Sequence, residues 1–429
     1  MPATIVPIHE NQGPYLAAFA RRAKSLPGLH ELRRAAAERF AALGFPTTKD
    51  EDWKYTNLAP FLKRPYEPAA PTPAEAVRER LAEAPFADLG CPRLVFVNGR
   101  YVPELSAPPE GITAGNLGAG LDWTSFAEAE QLDDNALAAL NTALFEDGAF
   151  IRIGNGCVSE QPVYVLYLAS GSGVSYPRTL IVAGRDSQAV LVEGYLGLED
   201  GAYFTNAVTD LIAADGAVIA HVKLQAEAAQ ALHCGLLRVR QGASSSVRSH
   251  NIALGAALAR NEIRAALEGE GAECTLNGLY LTTGRQHVDN HTTLDHARPH
   301  TTSHELYKGI LDGKSEAVFH GRIIVRPEAQ KTDAIQRNKN LLLSRDAVIN
   351  TKPQLEIYAD DVRCTHGATV GQVDQDAVFY LRSRGIGLEE ARSLLTYAFT
   401  SDLIDAVPVE AIRARLSAAL FERLQGGVQ

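Results

Sequence analysis

"SQAVLVEG", residues 187–194, returns in altered form along the chain. It recurs as "DGAVIAHV" (215–222), "SSSVRSHN" (244–251), "GAECTLNG" (271–278), "SEAVFHGR" (315–322), "RDAVINTK" (345–352) and "QDAVFYLR" (375–382). Each copy has a polar pair, then usually Ala, then Val and an extended run. The fourth residues are Val190, Val218, Val247, Cys274, Val318, Val348 and Val378, in steps of 28, 29, 27, 44, 30 and 30. A near-regular period of short strands predicts a solenoid. One repeat cannot bury its own apolar face, and stacking against neighbours buries a continuous one. The step of 44 leaves room for a skipped turn. The competing reading is a β-sandwich or barrel, which needs strands every 8–12 residues, and this segment could supply them. The open end of a stack carries unpaired backbone groups that must be capped or paired with another chain.

Working outward, the flanks read as helical. "LHELRRAAAERFAALGFP" (29–46) places Leu32, Ala36, Phe40 and Leu43 on one face, with Gly44 and Pro46 as the stop. A polar segment follows, "TTKDEDWKYTNL" (47–58), then a Pro- and Ala-rich loop, "KRPYEPAAPTPAEA" (63–76). "RLVFVNGRYVPEL" (93–105) is a hairpin signal around Asn98-Gly99. "DDNALAALNTALF" (133–145) is helical again. Past the strands, 388–404 puts Ala391, Leu394, Leu395, Ala398, Phe399 and Leu403 on one face. After Pro408, residues 409–424 repeat Ile412, Leu416, Leu420 and Leu424. These two helices cap the solenoid or offer an apolar surface to a partner. The expected fold is mainly β: helical residues 1–150 with a hairpin, a core over 151–386, and helical residues 387–429.

Composition narrows the function. The 429 residues are 46% hydrophobic, with a net charge of −10 and no basic block of the kind that binds nucleic acid. The longest apolar runs are as short as "LIVA" (180–183), so no segment predicts a bilayer span. "MPATIVPIHENQG" lacks the pattern of a secretory signal, and a cytoplasmic location is expected. The cysteines Cys91, Cys157, Cys234, Cys274 and Cys364 are scattered and odd in number, which argues against a disulfide framework. "GLYLTTGRQ" (278–286) fails as a phosphate loop, and GxGxxG, GxSxG and HExxH motifs are absent. The chain is not expected to hydrolyse nucleotides itself.

Two clusters could carry metal chemistry. "HVDNHTTLDHARPHTTSH" (287–304) holds His287, His291, His296, His300 and His304 with Asp289 and Asp295. Imidazole with carboxylate suits zinc or iron, but the block has no clear period to make the side chains converge, and backbone-satisfying histidines are the alternative. Cys364 and His366, in "YADDVRCTHGATVGQ" (358–372), have the i,i+2 spacing that points both to one face of a strand. Asp360 and Asp361 lie just before them. Gly367 and Gly371 would allow bends or close backbone approach. Thiolate and imidazole both ligate iron. Two ligands do not close a site, so the others would come from elsewhere. The alternative is a buried Cys and a hydrogen-bonded His.

Several stretches resemble the SufB/SufD family of the Suf iron–sulfur cluster assembly scaffold. They are "GFPTTKDEDWKYTNL" (44–58), "QHVDNHTTLDHARPHTTSHELYKGILDGKSEAVFHGRI" (286–323), residues 329–386 around "CTHGATVGQ", and "ARSLLTYAFTSDLI" (391–404). "DEDWKYTNL" and "CTHGATVGQ" favour the SufD branch over the SufB branch. The resemblance implies a right-handed parallel β-helix between helical ends, and a scaffold subunit rather than an enzyme. It implies pairing with SufB through the β-helix ends, and a SufC ATPase bound through the C-terminal helices, where Leu394, Leu395, Ala398 and Phe399 are the candidate contacts. It carries the motif histidine onto His366 as an iron or cluster ligand shared with SufB, with Cys364 in the neighbouring motif position. The cofactor it implies is a transient cluster or iron, with nothing bound tightly to the isolated chain. It also associates reduced flavin with the complex and leaves homodimerisation of the chain alone open. Two other classes stay in view: a β-helix carbohydrate-active enzyme, and a zinc hydrolase built on His287–His304.

Overall fold

A computed structural model describes residues 11–63, 65–82, 86–117, 126 and 134–426, with side chains as far as 421. The first ten residues, Asp133 and the side chain of Leu424, all named above, lie outside the described residues.

The strands are β1 (Arg93–Val97), β2 (Arg100–Tyr101), β3 (Thr113–Asn116), β4 (Ala149–Ile153), β5 (Val163–Ala169), β6 (Gly173–Ser175), β7 (Arg178–Ala183), β8 (Gln188–Gly197), β9 (Tyr203–Ala213) and β10 (Val218–Ala226). Then come β11 (Leu232–Gln241), β12 (Ser246–Ala253), β13 (Leu258–Leu267), β14 (Glu273–Thr282), β15 (His287–His296), β16 (Thr302–Leu311), β17 (Glu316–Val325), β18 (Asp333–Leu342), β19 (Val348–Ile357) and β20 (Arg363–Gly371). The helices are α1 (Gly13–Arg22), α2 (His30–Leu43), α3 (Ala74–Leu81), α4 (Ala136–Leu144), α5 (Gln375–Ser383), α6 (Leu388–Asp405) and α7 (Glu410–Gly426).

The strands build a β-solenoid of about eight turns. Sheet one runs β2-β1-β5-β8-β10-β12-β14-β16-β18-β20, and sheet two runs β19-β17-β15-β13-β11-β9-β7-β4-β3. From β8 onward the chain crosses from one sheet to the other at every strand, so neighbours within a sheet are parallel. Gln188, Val218, Ser246, Glu273, Thr302, Asp333 and Arg363 share one register, in steps of 30, 28, 27, 29, 31 and 30 residues.

The repeat seen in sequence marks the entry from a tight turn into a strand, and both sheets use it. Its first four copies enter sheet one, whereas 315–322 and 345–352 enter sheet two. The step of 44 therefore spans about one and a half turns. The seventh copy is not a strand: 375–382 lies in α5, where the Asp374 carboxylate accepts hydrogen bonds from the amides of Asp376 and Ala377 and caps the helix. Val218 and Val348 point outward and are exposed, while the Ala before and the apolar residue after face the core.

The lumen is apolar with polar inlays. Tyr167 stacks on Tyr195 with centroids 5.3 Å apart, and Phe96 lies 5.1 Å from Tyr167. Farther along, two tyrosines exchange places with two glycines. Gly278 is in register with Tyr307, and Gly309 with Tyr280. A Cβ on Gly278 would fall inside the Tyr307 ring, and one on Gly309 inside the Tyr280 ring, so only glycine admits each ring. Buried Glu193 accepts hydrogen bonds from Thr179 and Thr209, and His221 Nε2 lies 2.9 Å from it.

The N-terminal region is tied into the stack. The Asn98-Gly99 hairpin forms as expected, with both residues at positive φ, and β1 pairs in parallel with β5 as the first rung of sheet one. α4 is buried along its whole length, and Asn141 donates to the carbonyls of Pro177 and Asn206. α2 ends at Gly44, whose φ is 69°.

Candidate functional site at the open end of the solenoid

Among the described residues β20 closes sheet one and β19 closes sheet two, and each pairs with a strand on one side only. Along β20 only Cys364 is even partly covered. Val348, Ile357, Tyr358 and Val370 are large apolar residues left exposed at this end. An unpaired edge with exposed apolar side chains is a template for another chain.

Cys364 and His366 do share a face, as their spacing predicts. Cys364 is in register with Ala334 and His366 with Gln336, both buried residues of the inner face of β18. The two therefore stand at the mouth of the lumen. Cys364 packs against the inner core, and burial, then the nearby Asp333 carboxylate, push its thiol pKa up. It is a thiol at neutral pH in the isolated chain. His366 is exposed. Behind it stands a register ladder of Gln336, Glu305 and Leu276. Gln336 Nε2 donates to Glu305 Oε2 at 2.7 Å, and burial pushes the Glu305 carboxyl up to about 7. A buried carboxyl that is half ionised near neutrality thus lies two rungs below the exposed imidazole.

The neighbours differ from expectation. Gly367 makes no bend, since the strand runs through it and ends at Gly371, and a Cβ at either meets nothing within 4 Å. Asp361 is held by Lys331 across the turn, while Asp360 is exposed.

The histidine-rich block does not converge. Its strand alternation, which helical or strand periodicity in the sequence did not reveal, splits it. His296 faces the lumen, with Nδ1 2.8 Å from Thr301 and Nε2 2.9 Å from Ser303. His300 occupies a turn with φ 59°, and His304 lies exposed on sheet one. His287 and His291 lie on the outer face of sheet two, under residues 47–58. There Thr56 donates to Asp289 at 2.5 Å and lies 3.0 Å from His287 Nε2. The Asp52 carbonyl accepts from Arg260 at 3.0 Å, and the Arg260 guanidinium stacks on Trp53 at 3.9 Å. Arg260 also pairs with Asp289. Two stretches of distant sequence are thus one docking contact.

α6 is rotated relative to its expected apolar stripe, of which only Ala391 and Leu403 are fully buried. Its buried residues are Ala391, Ser393, Thr396, Thr400, Leu403 and Ile404. Leu394 and Ala398 are exposed, and Leu395 and Phe399 are half-buried. Lys308 of sheet one fixes this orientation, donating to Asp402 at 2.6 Å and to the Phe399 carbonyl at 2.7 Å. In α7, Ile412, Leu416 and Leu420 are buried as expected.

The family model described as the SufBD core domain of SUF-system FeS cluster assembly matches residues 166–399, and that of the SufBD N-terminal region matches 19–165. The chain belongs to the SufBD family. It is 33% identical over 391 residues to the iron–sulfur cluster assembly protein SufD of Escherichia coli, covering 90% of this chain and 91% of the relative. It is 32% identical over 409 residues to the SufBD family protein slr0076 of Synechocystis, covering 90% and 88%. It is 29% identical over 413 residues to protein ABCI7, chloroplastic, of Arabidopsis thaliana, covering 92% and 86%. The SufBD family member described here is thus an iron–sulfur cluster assembly protein with a β-solenoid core. Among its described residues no helix is long and apolar enough to cross a membrane.

Proposed function

We propose that this chain is the SufD-type scaffold subunit of the assembly complex. It pairs with a SufB-type subunit at the open solenoid end, and it contributes His366 as one ligand to iron or a nascent cluster completed by that partner. The observation that carries the reading is an exposed imidazole on the last strand of a sheet whose outer edge has no neighbour among the described residues. His366 supplies the borderline nitrogen ligand, and the partner supplies the softer ones. Cys364 enters this chemistry only when deprotonated, which an iron centre would drive by replacing its proton. Exposed Leu394 and Ala398, with half-buried Leu395 and Phe399 beside them, are assigned to a SufC-type ATPase. The family match and the 33% identity to a named SufD favour this over a carbohydrate-active enzyme. A zinc hydrolase on the histidine block is disfavoured because its five histidines are dispersed over three faces and a turn.

The test is the iron and sulfide content of the anaerobically co-purified complex at matched subunit stoichiometry. With His366→Ala both should fall together while the melting temperature of the free chain stays unchanged. Unchanged iron and sulfide would remove His366 from the cluster site. A matching loss of soluble complex would make it structural.

A further inference from the structure

The 47–58 segment brings one carboxylate to a histidine pair that sequence spacing does not unite. His291 of β15 and His320 of β17 are register neighbours on the outer face of sheet two, with ring centroids 4.8 Å apart. Both are buried. Asp52 lies over them from the short helical turn Glu51–Trp53, with Oδ1 3.8 Å from His320 Nδ1. One donor atom from each of the three lies within 4.8 Å of the others.

The surroundings match what a metal ligand set needs. His320 Nε2 is 3.3 Å from Gln354 Oε1, which leaves Nδ1 facing Asp52 as the free lone pair. His291 Nε2 is 3.0 Å from Asp289 Oδ1. That oxygen is buried, has no well-aligned donor among the described residues, and lines the same small cavity as Asp52, His291 and His320. Outer oxygens of this kind fix the tautomer and orientation of ligating histidines. Lys352, the nearby cation, is occupied by Glu51 at 2.6 Å. Arg260 is spent on Asp289 and on the backbone of Asp52.

We propose that Asp52, His291 and His320 form a site for a divalent first-row transition-metal ion, with two imidazoles, one carboxylate and an open position. Nitrogen and oxygen donors in this number suit iron(II), cobalt(II) or zinc. Donors about 2.1 Å from a shared ion stand roughly 3.4 Å apart, so Asp52 Oδ1, already 3.8 Å from His320 Nδ1, needs only a small shift to share an ion with it. The ion would cross-link the N-terminal segment to the solenoid. The site lies on the outside of sheet two, whereas His366 lies on the inner face of sheet one, so the proposal does not depend on the cluster-ligand reading.

The experiment is titration of the tag-free, chelator-stripped full-length chain with cobalt(II), read by visible absorption, and with iron(II) under anaerobic conditions. One equivalent of either ion should bind. Asp52→Asn and His320→Gln should each weaken binding by ~10-fold or more. His304→Gln, on the other sheet, and His366→Ala should leave it unchanged. Absence of equimolar binding would overturn the proposal, and so would full affinity in Asp52→Asn. Loss of the ion in His366→Ala would move the site to the open end and overturn it equally. Asp52 is exposed, so Asp52→Asn keeps the test decisive if circular dichroism shows a histidine variant to be unfolded.

Discussion

The two ends of the solenoid are built from the same strand register and finished in opposite ways. At the N-terminal end, β1 turns back through Asn98-Gly99 onto β2, β3 turns antiparallel against β4, and Leu94, Val95 and Phe96 are fully buried. At the C-terminal end, β19 and β20 stop with their outer edges bare, and the chain leaves into helices. One end is sealed by its own chain. The other is left as a surface whose completion must come from outside. Capping is thus a property of the flanking segments and not of the repeat.

Substitutions at the two ends should separate this contrast most sharply. Phe96→Ala removes a fully buried ring and should cost about 3–5 kcal/mol in chemical denaturation. Val370→Ala, at the bare end, should stay within about 0.5 kcal/mol and weaken heteromer formation in a pull-down instead. An equal loss of stability at both sites would mean that the open end is already closed in the free chain.

Acid should test the sealed interior next. His250 and His296 are buried, and burial pushes each down to about 4. Unfolded chains take up these protons near pH 6.5, so stability present above that value is lost as pH falls toward 4, by about 3 kcal/mol for each. Glu305 acts in the opposite sense. Its pKa is raised from 4.5 to about 7, so its contribution is full below 4.5 and lost as pH rises through 7. The net loss from these three groups between pH 7 and 4 is about 3 kcal/mol. Glu305→Gln removes the opposing part and should steepen the acid loss by a similar amount. Denaturation midpoints across that range check both slopes, and parallel curves for the two proteins would refute the assignment.

The smallest effect contrasts two glycines. Gly278→Ala must displace the Tyr307 ring and should cost about 1–3 kcal/mol. Gly367→Ala meets open space and should leave the thermal midpoint in place. A comparable drop at Gly367 would show that the last rung is packed against something within its own chain.

Much of this fold was legible because its signals are local. A tight turn followed usually by Ala and then an extended run repeats at six strand entries, and the asparagine–glycine pair dictates its hairpin. What escaped was phase. The same entry signal serves both sheets, so the spacing around Cys274 and Val318 hid a change of sheet, and Val378 sits where Asp374 starts a helix. The i,i+2 reading of Cys364 and His366 held because alternation alone decides it. The facing of α6 did not follow from its apolar stripe, because Lys308 and Asp402 from separate elements orient the helix with Ser393, Thr396 and Thr400 inward. The Asp52–His291–His320 cluster was illegible for a related reason. His291 and His320 are one rung apart, 29 residues in sequence, and Asp52 comes from the far N-terminal region. Register aligns the two histidines, and docking of the 47–58 segment adds the carboxylate.

The one-sided pairing of β19 and β20 has a further consequence for how this molecule breathes. In a stack whose rungs touch only their nearest neighbours, each interior rung is held from both sides and the terminal rung from one. The final rung therefore has the lowest opening free energy in the solenoid, and its amides should exchange with solvent first. A strand laid along β20 would turn that fraying rung into an interior one. Occupancy of the end would then be recorded as slowed hydrogen exchange spreading backward into β18, a readout of assembly that needs no metal at all.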